Sequence, residues 1–318
     1  MGFSPTLLAG RVGIVTGAGP PRGIGRSLVR ALADAGALAV YATDLTLDNI
    51  PSLRHEVREA GSACEVLGAV LDVTSEEQTI GLVKRVVAEH GRLDFFFANA
   101  GAPSLRSLQD TDAAHYDQFV SLHQRAFFLA IRYAGQGMSA VSPEKPRPGG
   151  SIIATGSIAG YSGSIADFTY SSTKAAVSSM VQSASVQLSA SNVRVNAIAP
   201  GYTKTSVFSL GQERLPEAVE AEVTRYQRAF GPRDDVGAYY HHRLLEPEEV
   251  ANLGLFLASD LSSAVSGQSI VADAGFMAAA FREAMTGPVK PMTPFGFVQT
   301  GMESLEKDAG SEVGRAGG

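Results

Sequence analysis

The sequence predicts an α/β fold, a single doubly wound parallel sheet covered by helices on both faces. Three observations carry that reading. From Arg11 to about Gly201, short runs rich in β-branched and aromatic residues alternate with helical patterns. Those runs are apolar throughout rather than at every second position, as expected of strands buried on both faces. The first of them leads into a glycine-rich turn that opens a helix, which places a ligand site outside the carboxyl ends of the strands.

In order, the strand-like runs fall at residues 12–15, 38–42, 65–71, 93–98, 151–154 and 193–197. Between them lie helical patterns at 25–35, in the segment ending at Gly61, and at 76–90, 116–134 and 170–189. No internal repeat and no linker divides this region, so residues 1–275 read as one domain. Two segments depart from the alternation. Residues 205–246 cluster aromatics (Phe208, Tyr226, Phe230, Tyr239, Tyr240) and are expected to form a substrate lid. Residues 276–318 form a carboxyl-terminal extension, apolar and Pro-rich to Val298, with a polar end expected to be disordered.

Composition bounds the function. The net charge of −6, with no clustered Lys or Arg, argues against nucleic-acid binding. Cys64 is the single cysteine, so no intrachain disulfide framework exists. No apolar run approaches the roughly 20 residues of a membrane span, and the start of the chain lacks a signal-peptide pattern. A cytoplasmic location without membrane attachment is expected. The short match of Gly2 and Thr6 to a myristoylation pattern is set aside as chance.

Three sets of residues carry chemistry. The turn Thr16-Gly17-Ala18-Gly19-Pro20-Pro21-Arg22-Gly23-Ile24-Gly25 lets backbone approach a pyrophosphate at a helix amino terminus. Gly17, Arg22, Gly23, Ile24 and Gly25 are its candidate dinucleotide contacts. Asp44, with Leu45 after it, closes the second strand, where a carboxylate accepts hydrogen bonds from ribose hydroxyls and repels a 2′-phosphate. The plain alternative for Asp44 is a turn or cap residue. NAD is preferred over NADP, and Arg22 is the residue that would favour NADP.

The third set is Ser157 with Tyr170 and Lys174. Four residues apart on one helix face, Tyr170 and Lys174 would project together, and an ammonium beside a phenol favours the phenolate. Tyr170 then becomes an acid for a carbonyl oxygen or a base for an alcohol, with the Ser157 hydroxyl on the same oxygen.

With these residues in view, the chain resembles the short-chain dehydrogenase/reductase family from about Leu8 to Gly275. Thr16, Gly17, Gly23 and Gly25 look like that family's Thr-Gly-x-x-x-Gly-x-Gly motif. Asp72-Val73 is similar to its adenine-contacting pair, and Asn99-Ala100-Gly101 to the motif ending its fourth strand. Pro200, Gly201, Thr203 and Thr205 resemble the stretch that holds the nicotinamide carboxamide, and Asp273-Ala274-Gly275 the last strand. The resemblance implies a Rossmann-type sheet of seven parallel strands and a homodimer or homotetramer. It also implies that Ser157, Tyr170 and Lys174 are catalytic, with Lys174 holding the nicotinamide ribose.

Three departures stand out. The glycine loop is two residues longer than the pattern and includes Pro20 and Pro21. Asp273-Ala274-Gly275 replaces the common Asp-Gly-Gly. His123 occupies the position of a catalytic Asn, and two readings stay open for it: a member of the proton relay, or a helix histidine satisfied by its neighbours.

The expected activity is hydride transfer between a nicotinamide cofactor and a ketone or secondary alcohol, on a small-molecule substrate that is medium-sized or bulky and partly apolar. The alternatives are a non-catalytic dinucleotide-binding protein and a lyase or epimerase with tightly held nicotinamide. No metal is expected. The adjacent His241 and His242 lack partners at ligand spacing and are assigned to the lid.

Overall fold

The computed structural model describes residues 4–206 and 244–278. Its strands are β1 (Val12–Thr16), β2 (Ala39–Asp44), β3 (Glu65–Val70), β4 (Phe95–Ala98), β5 (Gly150–Thr155), β6 (Val193–Pro200) and β7 (Ser269–Ala272). They form one parallel sheet of seven strands in the order β3-β2-β1-β4-β5-β6-β7. All six strand-like runs of the sequence are present. The seventh strand, implied by the family resemblance, closes one edge.

The described helices are α1 (Ile24–Asp34), α2 (Ile50–Glu59), α3 (Glu76–His90), α4 (Ala113–Phe119), α5 (Ala126–Ser139), α6 (Phe168–Gln187) and α7 (Pro247–Ala258). Two cores sandwich the sheet because successive strand side chains point to opposite faces. Phe95 and Phe97 of β4 pack with Leu28 of α1 and Leu255 of α7 on one face. Phe96 packs with Val86 of α3, Phe127 of α5 and Val181 of α6 on the other. Every residue of β1 is buried, which explains its unbroken apolar character.

Helix starts follow local capping chemistry. The Asp112 carboxylate accepts from the His115 amide at 2.7 Å, and Asp167 accepts from the Tyr170 amide at 3.0 Å. The helix expected at 116–134 differs from expectation. It starts earlier, with α4, passes through a π-helical turn at Val120–Arg125, and continues as α5 to Ser139. Wide turns of this kind cluster at functional sites, and His123 sits inside this one.

One buried cation lies away from the sheet ends. Lys145 Nζ donates to the carbonyls of Leu93, Met138 and Gly149 at 2.6, 2.9 and 2.6 Å, tying the loop before β5 to β4 and α5. Burial lowers its pKa to about 8, so three carbonyl partners hold a charge that solvent would otherwise stabilise.

The topology fixes where a ligand binds. After β3 the chain crosses the sheet and returns beside β1 as β4, so the loops leaving β1 and β4 part and open a crevice at the carboxyl edge. The excursion at 205–246 starts and finishes beside that edge. Thr203 bridges Leu245, the Lys204 amide donates to the Leu245 carbonyl at 2.9 Å, and Lys204 pairs with Glu246. The interior of that segment, with its aromatics and with His241 and His242, lies outside the described residues, as do the first three residues and those beyond Ala278. Among the described residues no helix is long and apolar enough to cross a membrane.

Candidate active site

A cleft of about 800 Å³ opens along the carboxyl ends of β1, β4, β5 and β6. Its floor is the glycine loop. Gly17 sits at φ +68°, a left-handed conformation, and a Cβ there would lie 2.8 Å from the Ala100 Cα. The two extra residues are absorbed as a closed turn, with the Gly23 amide donating to the Pro20 carbonyl at 3.1 Å. Pro21 then takes the second position of that turn, which favours its fixed φ. The insertion stiffens the loop while Pro20 and Gly23 still face the cleft.

The loop is pinned from two sides. One Asp44 oxygen accepts from the Gly19 amide at 2.9 Å, and the other from the Leu45 amide at 2.8 Å. Asp44 therefore does both things the sequence left open: it closes a turn and presents a carboxylate to the cleft. Beneath the loop, Thr16 Oγ1 donates to the Phe97 carbonyl at 3.1 Å and accepts from the Asn99 and Ala100 amides at 2.9 and 3.0 Å. Asn99 Nδ2 donates to the Thr16 carbonyl at 2.9 Å, and its Oδ1 accepts from Thr155 Oγ1 at 2.9 Å. The Asn99 side chain thus staples the ends of β1, β4 and β5.

At the other end, Ser157, Tyr170 and Lys174 share the cleft wall. The strand end of β5 and the cap Asp167 place them. Ser157 Oγ accepts from the Ala159 amide at 3.1 Å, which fixes the turn after β5. Lys174 Nζ donates to the Thr155 carbonyl at 2.8 Å and lies 5.6 Å from the centre of the Tyr170 ring. Burial lowers the Lys174 pKa to about 8. Burial raises the Tyr170 phenol to about 12, with the Ser157 hydroxyl opposing the shift and the Asp167 charge adding to it. The expectation that Lys174 draws the phenol toward neutral pH is therefore corrected. The ammonium is directed at the Thr155 carbonyl, and desolvation is the largest influence on the phenol.

His123 lies behind this wall. Its Nε2 faces the Ala102 amide at 3.4 Å and its Nδ1 the Thr173 hydroxyl at 2.9 Å. An Nε2 that accepts leaves the proton on Nδ1, so Thr173 Oγ1 accepts there while donating to the Tyr170 carbonyl at 3.0 Å. The His123 ring meets Tyr170 edge-on, 5.4 Å between centroids. Burial and the neighbouring Lys174 charge lower its pKa to about 2. Both ring nitrogens are thereby partnered, as the satisfied-histidine reading requires. The expected result is an imidazole that shows no NMR titration between pH 5 and 8. A His123 titration midpoint inside that range would overturn the assignment.

The other candidates divide. Gly17, Gly23, Ile24, Asp44, Leu45, Asp72, Val73, Asn99, Ala100, Gly101, Pro200, Gly201, Thr203 and Thr205 all line the cleft. Arg22, Gly25 and His123 do not. Arg22 is exposed, and its carbonyl accepts from the Ser206 amide at 2.9 Å. Gly25 is a packing glycine: a Cβ there would sit 2.2 Å from the Gly17 carbonyl oxygen. One Asp72 oxygen accepts from the Thr74 amide and hydroxyl at 2.9 and 2.7 Å. Ala274, where the family pattern has a glycine, takes a left-handed backbone, φ 53°, a strain of about 1 kcal/mol.

Sequence reasoning missed Thr155, Asp167, Tyr202 and Arg106 in or around the site. Asp167 was legible as a cap three residues before Tyr170. The others carried no local signal. Among the described residues no group of three or more His, Cys, Asp or Glu is placed to hold a metal.

Comparison with known proteins agrees with this geometry. Residues 17–277 match the family model described as enoyl-(acyl carrier protein) reductase. The chain is 35% identical over 271 residues to cis-4-hydroxycyclohexanecarboxylate dehydrogenase of Sinomonas cyclohexanicum, covering 85% of this chain and 98% of that one. Its fold is similar to a short-chain dehydrogenase/reductase from Burkholderia xenovorans, with a TM-score of 0.73 and 30% identity over 86% of this chain and 98% of the other. It is also similar to a 7α-hydroxysteroid dehydrogenase complexed with NADH and 7-oxo glycochenodeoxycholic acid, with a TM-score of 0.70 and 28% identity over 85% of this chain and 96% of that one.

Proposed function

The chain belongs to the short-chain dehydrogenase/reductase family of oxidoreductases, and from that premise we propose that it interconverts a ketone and a secondary alcohol with NAD as the preferred cofactor. The observation that carries the reading is the convergence of Ser157, Tyr170 and Lys174 on one wall of a cleft whose far end presents Asp44.

The residues of the cleft fit a dinucleotide. The left-handed Gly17 and the close-packed Gly23 leave room for a pyrophosphate at the start of α1. Asp44 would hold the adenosine ribose, with Asp72 and Val73 about the adenine. Pro200, Gly201, Thr203 and Thr205 would hold the nicotinamide end, and Lys174 its ribose. When bound, the nicotinamide supplies or accepts the hydride.

The protein's own groups handle the oxygen. Ser157 offers a hydroxyl to the carbonyl oxygen and keeps the substrate oriented. The Tyr170 phenol, protonated at neutral pH, donates to the alkoxide as it develops. Lys174, still charged at neutral pH with a pKa of about 8, supports that transfer electrostatically. In the oxidative direction the same phenol must first lose its proton, so alcohol oxidation is favoured as pH rises. His123 contributes position rather than charge: its ring and the Thr173 hydroxyl hold Tyr170 from behind.

The test is consumption of NADH and of NADPH across a panel of cyclohexanones, steroid ketones and oxo esters. Turnover faster with NADH supports the reading. Tight dinucleotide binding with no change in its redox state across the whole panel would overturn it. We propose in addition that the protein is a homo-oligomer, dimer or tetramer. Phe128 on α5, Phe168 on α6 and Val271 on the edge strand β7 are exposed and apolar, the kind of groups an oligomer interface would cover. Sedimentation velocity reads the state directly, and a monomer at micromolar concentration would count against it.

A further inference from the structure

We infer that Arg106 recognises a carboxylate on the substrate, so that the chain acts on an oxo or hydroxy acid whose charged group is set apart from the reacting carbon by an apolar spacer. This rests on the oxidoreductase reading of the cleft and adds its substrate class.

The charge distribution of the cleft points to it. Among the described residues lining the wall, the cations are Lys174 and Arg106. Lys174 is engaged by the Thr155 carbonyl. Arg106 is exposed and, among the described residues, has no hydrogen bond or ion pair. The carboxylates on the same wall are placed elsewhere in function. Asp44 and Asp72 stand with the loop and turn contacts of the dinucleotide end, and Asp167 caps α6 through the Tyr170 amide.

Arg106 is held on a supported loop. Two residues before it, Ser104 is buried at 5% exposure, and its hydroxyl lies 3.0 Å from Nε2 of His115 on α4. That bond anchors the chain leaving β4 to α4. The cleft is also lined by Pro103, Leu105 and Ile165, apolar groups suited to a ring or short aliphatic spacer. A planar guanidinium with five donors matches a carboxylate by two parallel hydrogen bonds. The chain's net charge of −6 would disfavour an anionic substrate at long range, so its recognition requires a local cation of this kind.

The experiment compares 4-oxocyclohexanecarboxylate with its methyl ester, the same skeleton without the charge, in the full-length protein and in Arg106→Leu and Arg106→Lys. The acid is expected to be the better substrate by kcat/KM. In Arg106→Leu the acid-to-ester ratio of kcat/KM is expected to fall by about tenfold to a hundredfold, chiefly through KM. In Arg106→Lys the fall is smaller, because the charge stays while the bidentate geometry goes. A second readout is independent of turnover: binding of unreactive cyclohexanecarboxylate by saturation-transfer NMR, expected for the parent and lost in Arg106→Leu. An acid-to-ester ratio that stays within about twofold in Arg106→Leu would overturn the inference, as would carboxylate binding that ignores the substitution. Arg106-dependent carboxylate binding without hydride transfer to any ketone would instead uphold this inference and overturn the oxidoreductase reading.

Discussion

Tyr170→Phe is expected to lower kcat for ketone reduction by about a thousandfold, the scale of a lost general acid, while dinucleotide affinity stays within a few-fold of the parent. The substitution removes one hydroxyl. The ring remains, so the edge-on contact with His123 and the placement of Lys174 beneath the ring persist. The fold is insulated for the same reason: the helix cap at this position uses the backbone amide, which Phe also supplies. Stopped-flow turnover together with fluorescence titration of NADH checks both halves. Retained turnover would remove Tyr170 from the chemistry. A parallel loss of cofactor affinity would make its role structural. The pH dependence adds a sign. A phenol raised to about 12 stays protonated through neutral pH, so ketone reduction should show no loss assignable to Tyr170 between pH 6 and 9.

The second large effect concerns cofactor choice. The parent is expected to use NADH over NADPH by about a hundredfold or more, because the Asp44 carboxylate at the cleft would face a 2′-phosphate, and like charges brought together cost several kcal/mol. Asp44→Asn removes the repulsion while keeping a side-chain oxygen for the Gly19 amide, so it should narrow the preference without unseating the loop. Combining Asp44→Ala with Leu45→Arg should reverse it. Leu45 lines the cleft and is 67% exposed, so a guanidinium there can reach a phosphate without displacing core. The double change also removes the acceptor for Gly19, and some loss of overall affinity is expected with it. Kinetics with both dinucleotides measure the ratio. Equal use of NADH and NADPH by the parent would show that Asp44 does not discriminate.

His123 illustrates how far a residue pattern can be read. Its position in the chain shows a histidine where the family pattern has another residue, and a histidine in water titrates near neutrality. Its behaviour depends on burial and on the Lys174 charge, which push its pKa down, while Thr173, fifty residues away, and the Ala102 amide partner its ring nitrogens. Arg22 and Gly25 make the same point in a different way. Both lie in the glycine loop, yet neither lines the cleft: Arg22 is exposed, and Gly25 packs against the Gly17 carbonyl. Arg106 is the converse, a residue without any motif that the fold delivers to the cleft.

The sequence by itself determined what depends on local pattern. Continuous apolar runs specified strands buried on both faces, and a helical spacing of four brought Tyr170 and Lys174 to one face. A glycine-rich turn after the first strand specified where backbone could approach a ligand. Only the tertiary structure decided which of these groups meet water and which meet each other. It placed the π-helical turn, turned Asn99 into a staple between strand ends, aimed Lys174 at the Thr155 carbonyl, and raised the Tyr170 phenol while lowering His123. The physical reason is common to all of them. Hydrogen-bonding pattern and helix periodicity are set by neighbours in the chain, whereas desolvation and charge–charge interaction are set by neighbours in space.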